Sequence, residues 1–489
     1  MAFVSTRGGE AISASAAILR GIAPNGGLYV PETLPVLTRE EIAGLADLPY
    51  AERAAYVLNL ILDDYSEEEL LSFARQAYAS FECAEVAPIR EIKGGTHVME
   101  LFHGPTLAFK DMALQMLPHL LCAAARKQGE QREVAILTAT SGDTGKAALE
   151  GFRDVDGTSC TVFYPLGGVS RVQERQMLTS KGKNVHVIGV HGNFDDAQTG
   201  VKTLFANQDF IAAMNKNGKV LSSANSINLG RLVPQVAYYI SAAAEMLKKG
   251  IERFNVCVPT GNFGNILAAW YAKRMGAPID KLICASNCND VLTEFIKTGH
   301  YNAKRPFMLT VSPSMDILIS SNLERLLYEL VDCDSKALSE LMAQLKQNGE
   351  YTLQKAALEK LQAHFECGSA DDDETKAEIG RVWNSDGYVM DTHTAVAMQV
   401  LRTWREKSGN TAPTLLVSTA SPFKFAPAVT EALGLEQKEN AFDSVRQLSA
   451  FAGLTVPAPM DGLETNPVLH DITCEKNNMG EAVLKAFGV

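Results

Sequence analysis

From about residue 134 onward, short apolar runs alternate with segments of helical character, and this rhythm constrains the fold more than any other feature of the chain. The runs are VAILTAT (134–140), CTVFYP (160–165), VHVIGV (185–190), FNVCVP (254–259), KLICAS (281–286) and TLLVST (414–419). Each is apolar on both alternating faces, as expected of strands buried on two sides. Helical stretches at 194–207, 231–248 and 265–275 intervene. Strands separated by helices form right-handed crossovers, so the expected fold is α/β with parallel sheets flanked by helices.

Two regions break the rhythm. The first 90 residues are more polar and helical in character, with acidic runs such as DDYSEEELLSFARQAY. Between about 299 and 385, charged helical patterns (SKALSELMAQLKQ, LQKAALEKLQAHF) and the run ADDDETKAE replace the strands. The expected organisation is therefore a helical N-terminal region over 1–90, a smaller α/β domain over 91–210 and a larger one over 211–489. The larger domain carries a helical insertion at about 299–385, with the sheet resuming near 414.

The net charge of -12 argues against nucleic acid or an anionic membrane surface as a partner. An anionic substrate would then need a local set of donors. No apolar run reaches the ~18 residues of a membrane-crossing helix, and the first residues lack a basic segment followed by an apolar core. The nine cysteines form no CxxC pair, and Cys284 and Cys288 have no second pair nearby, so buried reduced thiols are expected rather than a metal site. The expected compartment is the cytoplasm.

Three loops follow strand candidates, where ligands bind in open parallel sheets. TATSGDTGKAA presents Ser141, Gly142, Asp143 and Thr144 at a helix start, an arrangement suited to a phosphate or carboxylate. It fails as a P-loop: Thr140 stands where the first glycine is required and Ala147 where Ser or Thr is. A plain helix cap accounts for the same residues. VPTGNFGNILAAW sets Gly261, Asn262, Phe263, Gly264 and Asn265 between a strand and a helix, which favours close backbone approach to a phosphate. LLVSTASPFKFAPAV offers Ser418, Thr419 and Ser421, with Lys424 beyond.

A fourth stretch, LFHGPTLAFKDMALQ, places Lys110 at the N-terminal end of an apolar helix-like segment, where a cation is disfavoured. A solvated surface lysine is one reading. The other is a buried amine kept for carbonyl chemistry. One amine and several anion-binding loops suit a cofactor that carries both an aldehyde and a phosphate, and pyridoxal 5'-phosphate is such a cofactor.

With these residues in view, the chain closely resembles threonine synthase of the longer bacterial and fungal subgroup. The resemblance rests on VSTRGGEAISASAAILRGIAPNGGLYVPETLP, HGPTLAFKD, TSGDTG, SANSINLGRL, PTGNFGN and DTHTAVA, in that order, and covers nearly the whole length. It implies the tryptophan-synthase-like fold (fold type II) of pyridoxal-phosphate enzymes. It further implies conversion of O-phospho-L-homoserine and water to L-threonine and phosphate. By motif, Lys110 would be the Schiff-base lysine and main acid/base. Gly261, Asn262, Phe263, Gly264 and Asn265 would hold the cofactor phosphate, and Thr419 would face the pyridine nitrogen. Ser141, Gly142, Asp143 and Thr144 would receive the substrate carboxylate. Asn225, Ser226, Asn228 and Arg231 would receive its phosphate, with Lys424 a weaker candidate. For His103 and His393 packing or capping is expected rather than catalysis. The same cofactor motifs fit a phospho-lyase yielding 2-oxobutyrate, and a non-catalytic binding protein on the same fold is the rival from another class. A serine/threonine dehydratase fits less well, because STRG, GGLYVPE and SINLGR follow the synthase pattern.

Overall fold

The computed structural model describes residues 1–488, so Val489, the last residue of the expected larger domain, lies outside the described residues. Two sheets form the frame. The larger has six strands in the order Phe365–Ser369, Ile279–Ser286, Phe254–Pro259, Thr414–Ser418, Thr96–Glu100 and Ile89–Ile92. All neighbours are parallel except the last pair, a hairpin in which Ile89 faces Met99. The smaller is fully parallel, in the order Ile472–Glu475, Val185–His191, Thr158–Pro165, Glu133–Ala139 and Lys219–Ser222. The six apolar runs are all strands, because parallel strands covered on both faces need apolar side chains on both.

Sheet membership departs from the boundaries expected from sequence. Residues 89–100 belong to the larger sheet, whereas Lys219–Ser222 and Ile472–Glu475 complete the smaller one. Segment 299–385 is not purely helical either: Phe365–Ser369 within it pairs in parallel with Leu282–Ser286. Its short antiparallel ladder, His300–Asn302 with Glu350–Thr352, stacks Tyr301 on Tyr351 at 5.1 Å.

Helix starts follow local chemistry. Ser66 and Glu69 form a capping box at Glu67–Tyr78, as Thr38 and Glu41 do at Arg39–Gly44. The helix Leu229–Lys248 is buried along most of its length and lies in one apolar cluster with Ile136 and Val162 of the smaller sheet and Val256 and Val258 of the larger. That shared core fixes both sheets relative to each other. The loops after Ala139, Pro259 and Ser418 all leave from carboxyl ends of strands. Among the described residues no helix is long and apolar enough to cross a membrane.

Candidate active site

Lys110 is aimed by a tight turn. Leu107 adopts a left-handed φ of 62° and its N–H donates to Gly104 O at 3.1 Å. The buried carboxylate of Asp111 accepts Thr106 N and Thr106 Oγ1, each at 2.8 Å, and Gln115 Nε2 at 3.1 Å. Burial pushes the Asp111 pKa up to about 6, with the Thr106 donors working in the opposite direction. The turn is stitched to the end of the Thr414–Ser418 strand: Phe109 N donates to Thr419 O at 2.8 Å and Ser421 N to Leu107 O at 3.0 Å. Lys110 thus caps the short helix Asp111–Leu114 while facing the strand ends.

Its ammonium group meets two partners. Nζ lies 3.5 Å from Asp143 Oδ2 and donates to Ser314 Oγ at 3.4 Å. Ser314 Oγ in turn donates to Asp143 Oδ2 at 3.1 Å. On the other side of the carboxylate, Oδ1 takes Lys424 Nζ at 2.7 Å and Gln173 Nε2 at 3.0 Å. Burial lowers the Lys110 pKa; Asp143 pulls it back up, and the nearby Lys424 and Arg231 add to the lowering. For Asp143 burial acts to raise the pKa, but Lys424 and Lys110 override it and hold the group ionised well below the ordinary range. The site therefore holds one buried anion between two amines, with burial drawing the Lys110 pKa down.

About this amine, the Gly261–Asn265 loop forms a second feature. Phe263 takes φ 62°, uncommon for a residue with a side chain, and its buried ring packs 5.9 Å from Phe365. Helix Gly264–Arg274 begins immediately after, so its N–H groups point into the loop. A Cβ on Gly261 would stand 3.0 Å from Ser314 O, so the loop and the Ser312–Asp316 segment approach as closely as backbones can. The Asn265 carboxamide accepts from Tyr238 and Tyr239 hydroxyls through Oδ1 at 2.6 and 2.5 Å, while Nδ2 is buried without a partner among the described residues. Asn322 Nδ2 is likewise buried and unpartnered, with Asn322 N on Asn262 O at 3.1 Å. Two orphaned donors beside a helix N-terminus are suited to an anion of phosphate type.

The remaining candidates divide. Asn225 and Ser226 are half-buried, and Asn225 Oδ1 accepts from Thr138 Oγ1 at 3.2 Å. Arg231 is buried; one guanidinium nitrogen donates to Ala224 O at 2.9 Å, and Nε has no partner among the described residues. Asn228 is a correction: Oδ1 caps Gly230 N at 2.8 Å and Nδ2 donates to Ile18 O at 3.0 Å and Ser223 O at 3.2 Å. With Oδ1 committed to the start of its helix and Nδ2 to Ile18 and Ser223, the side chain has no donor left for a substrate. The Asp143 side chain is committed to the two lysines, so any part it takes in holding a carboxylate falls to its backbone N–H at the start of helix Asp143–Phe152. Two of the loop amides, Gly142 N and Gly145 N, are taken by Thr140 Oγ1 at 2.9 Å each, leaving Ser141 and Thr144 as the more open members. Lys424 is spent on Asp143 and on Thr106 O at 2.8 Å. His103 Nε2 pairs with Glu100 Oε2 at 2.9 Å, which also receives Tyr388 through its other oxygen at 2.9 Å.

Sequence reasoning missed Ser314 and Asn322. Both lie in an irregular stretch with no periodicity, and only the repeated hydroxyl and Asn residues of TVSPSMDILISSN hint at polar duties.

Three family models match in order: the threonine synthase N terminus over residues 2–78, the pyridoxal-phosphate dependent enzyme family over 91–419 and the threonine synthase C-terminal family over 394–467. Fold, buried amine and phosphate-type loop thus define the class as a fold type II pyridoxal-phosphate enzyme. A threonine synthase of Pseudomonas aeruginosa is 41% identical over 436 residues, covering 88% of this chain and 90% of its own length. The crystal structure of a PLP-bound threonine synthase from Brucella melitensis is 39% identical, with a TM-score of 0.89 over 99% of both chains. Human threonine synthase-like 1 is 40% identical over 96% of this chain, and the chain spans 63% of that protein's length. The chain belongs to the threonine synthase family.

Proposed function

We propose that the protein converts O-phospho-L-homoserine and water into L-threonine and phosphate. The observation that carries this reading is the Lys110 amine, largely buried with 14% of its side chain exposed and its pKa drawn down, 3.5 Å from Asp143 and beside a loop with unpartnered donors. Those orphaned amides fit a cofactor phosphate, and the buried amine fits a cofactor aldehyde. When bound, pyridoxal phosphate supplies an electron sink for negative charge developing at the substrate's α carbon.

The chain's own groups would do the rest. Lys110 would hold the cofactor through its aldehyde, and its amine would take protons from the substrate's Cα and Cβ and return them. Burial draws the Lys110 pKa down, the direction a proton-accepting amine needs, and Asp143 stabilises the ammonium that each proton removal creates. The amides and side chains of Gly261 to Asn265, with Asn322, hold the cofactor phosphate, and Thr419 faces the ring nitrogen. Ser141 and Thr144 receive the substrate carboxylate, with Gly142 allowing close approach. Asn225, Ser226 and Arg231 hold the phosphate that departs from Cγ; the open Nε of Arg231 supplies the charge-assisted donor. Water then adds at Cβ.

Purified, cofactor-loaded protein given O-phosphohomoserine decides the matter by product analysis. Threonine with equimolar phosphate is the expected result. Phosphate with 2-oxobutyrate and ammonia would replace the synthase by a phospho-lyase on the same scaffold.

A further inference from the structure

His393 is buried in the DTHTAVA stretch, and no step above uses it. Its two ring nitrogens are nonetheless fully committed. Nε2 accepts the backbone N–H of Ser314 at 3.1 Å, so it carries no proton, and Nδ1 therefore bears one and donates to Asp391 Oδ1 at 2.9 Å. Asp391 is itself locked as the N-cap of Thr392–Ser408, accepting His393 N at 2.9 Å and Thr394 N at 3.3 Å. The ring packs on Phe425 at 4.7 Å. Because the link to Ser314 is through a main-chain amide, which cannot relay a proton, His393 is not a catalytic base at the far end of a wire. It is a clamp on backbone position.

What it clamps is the serine that joins Lys110 to Asp143. The rest of the segment is held by side-chain amides and by Met315, which is buried in an apolar cluster. Asn287 Nδ2 donates to Thr310 Oγ1 at 2.9 Å, Ser312 Oγ at 3.0 Å and Asp316 Oδ1 at 2.8 Å, and Asn289 Nδ2 donates to Met308 O at 2.8 Å. These anchors lie on either side of Ser314, and none of them touches it. Together with the turn Pro313–Met315 and the buried Met315, the His393 bond to the Ser314 amide sets where the Ser314 hydroxyl lies against the lysine.

We propose that Ser314 is a further catalytic residue of the reaction, its hydroxyl accepting from the Lys110 ammonium while donating to Asp143, and that the Asp391–His393 pair is the positioning device that holds it there. This rests on Lys110 being the reacting amine. The hydroxyl orients the ammonium after proton uptake, so its loss slows turnover more than it weakens substrate binding.

The test compares Ser314→Ala, His393→Leu and His393→Gln, since a glutamine carbonyl can replace Nε2 as acceptor. The readouts are kcat and KM on O-phosphohomoserine, the visible absorption of bound cofactor, and amide hydrogen exchange of the 312–316 segment with and without cofactor. In H393L we expect the Ser314 amide to exchange roughly tenfold faster, the worth of one hydrogen bond. We expect kcat to fall roughly tenfold to a hundredfold with KM within about threefold and the cofactor absorption retained. H393Q should restore slow exchange and most of kcat, and S314A should lose kcat with slow exchange kept. Unchanged exchange in H393L, equal kcat in H393L and H393Q, or full kcat in S314A would each overturn the proposal. A wild-type protein that turned over no O-phosphohomoserine would defeat the proposed function instead, and the exchange comparison would still judge the clamp.

Discussion

Lys424→Met removes one charge from the buried anion between two amines. Lys424 Nζ sits 2.7 Å from Asp143 Oδ1, and both side chains are almost wholly excluded from water. Breaking a buried pair by deleting one partner costs about 3–5 kcal/mol, because the other charge stays buried. Asp143 would keep Lys110 at 3.5 Å, Ser314 at 3.1 Å and Gln173 at 3.0 Å, so the lower end, about 3 kcal/mol, is expected. An unfolding entropy of about 2.1 cal/mol/K per residue makes roughly 1 kcal/mol/K for a chain of 489 residues unfolding as one unit. Tm should therefore fall by about 3 °C in scanning calorimetry of the cofactor-free protein. Lys424→Met with Asp143→Asn removes both charges and should cost less than the sum of the single changes by about 2 kcal/mol or more. A single-variant loss under about 1 kcal/mol, or strict additivity in the double, would refute a strained buried pair.

Gly261→Ala would press a methyl group against Ser314 O and Ile317 Cδ1, both at 3.0 Å, and against Met315 Cα at 3.3 Å. Backbone cannot yield as a flexible side chain does, so about 1–3 kcal/mol of strain is expected, read as cofactor binding weakened roughly tenfold in an absorbance titration. Phe263→Gly relieves about 1–2 kcal/mol of left-handed strain but deletes a buried ring worth about 3–5 kcal/mol, so the melt should move down, not up. In cofactor-free protein, the rate at which Lys110 combines with added pyridoxal phosphate should rise with pH through a midpoint below the ordinary lysine value of about 10.4. Asp143→Asn should shift that midpoint lower still, since the carboxylate is the influence that raises it; an upward shift would contradict the electrostatics described.

The alternation of apolar runs was legible because strands covered on both faces leave no other pattern, and the three ligand-facing loops were legible through their glycines and hydroxyls. Edge strands were not: KVLS (219–222), ITCE (472–475) and FECGS (365–369) are short and partly polar, because one flank of each is open. Sheet membership escaped partly for the same reason, since Lys219–Ser222 and Ile472–Glu475 cross the boundaries drawn from sequence, and partly because Thr96–Glu100, an interior strand, pairs with the distant Thr414–Ser418. Lys110 stood out by its odd place before a helix, which left a surface lysine equally open, but the charges around it come from Asp143 and Lys424, which lie far away in the chain. Asn228 shows the converse limit. An asparagine before a helix reads equally as a ligand or as an N-cap, and only the bonds to Gly230, Ile18 and Ser223 decide for the cap. Ser314 left only the hydroxyl-rich run TVSPSMDILISSN as a signal, because a single short turn, Pro313–Met315, and a contact from the distant His393 position it.

Borohydride reduction of the cofactor-loaded protein, followed by peptide mapping by mass spectrometry, asks whether Lys110 is the amine that binds the cofactor. The expected result is a single pyridoxyl group on the peptide carrying Lys110, and none in Lys110→Ala. A pyridoxyl group on Lys424, Lys146 or another lysine in the native protein would contradict the account.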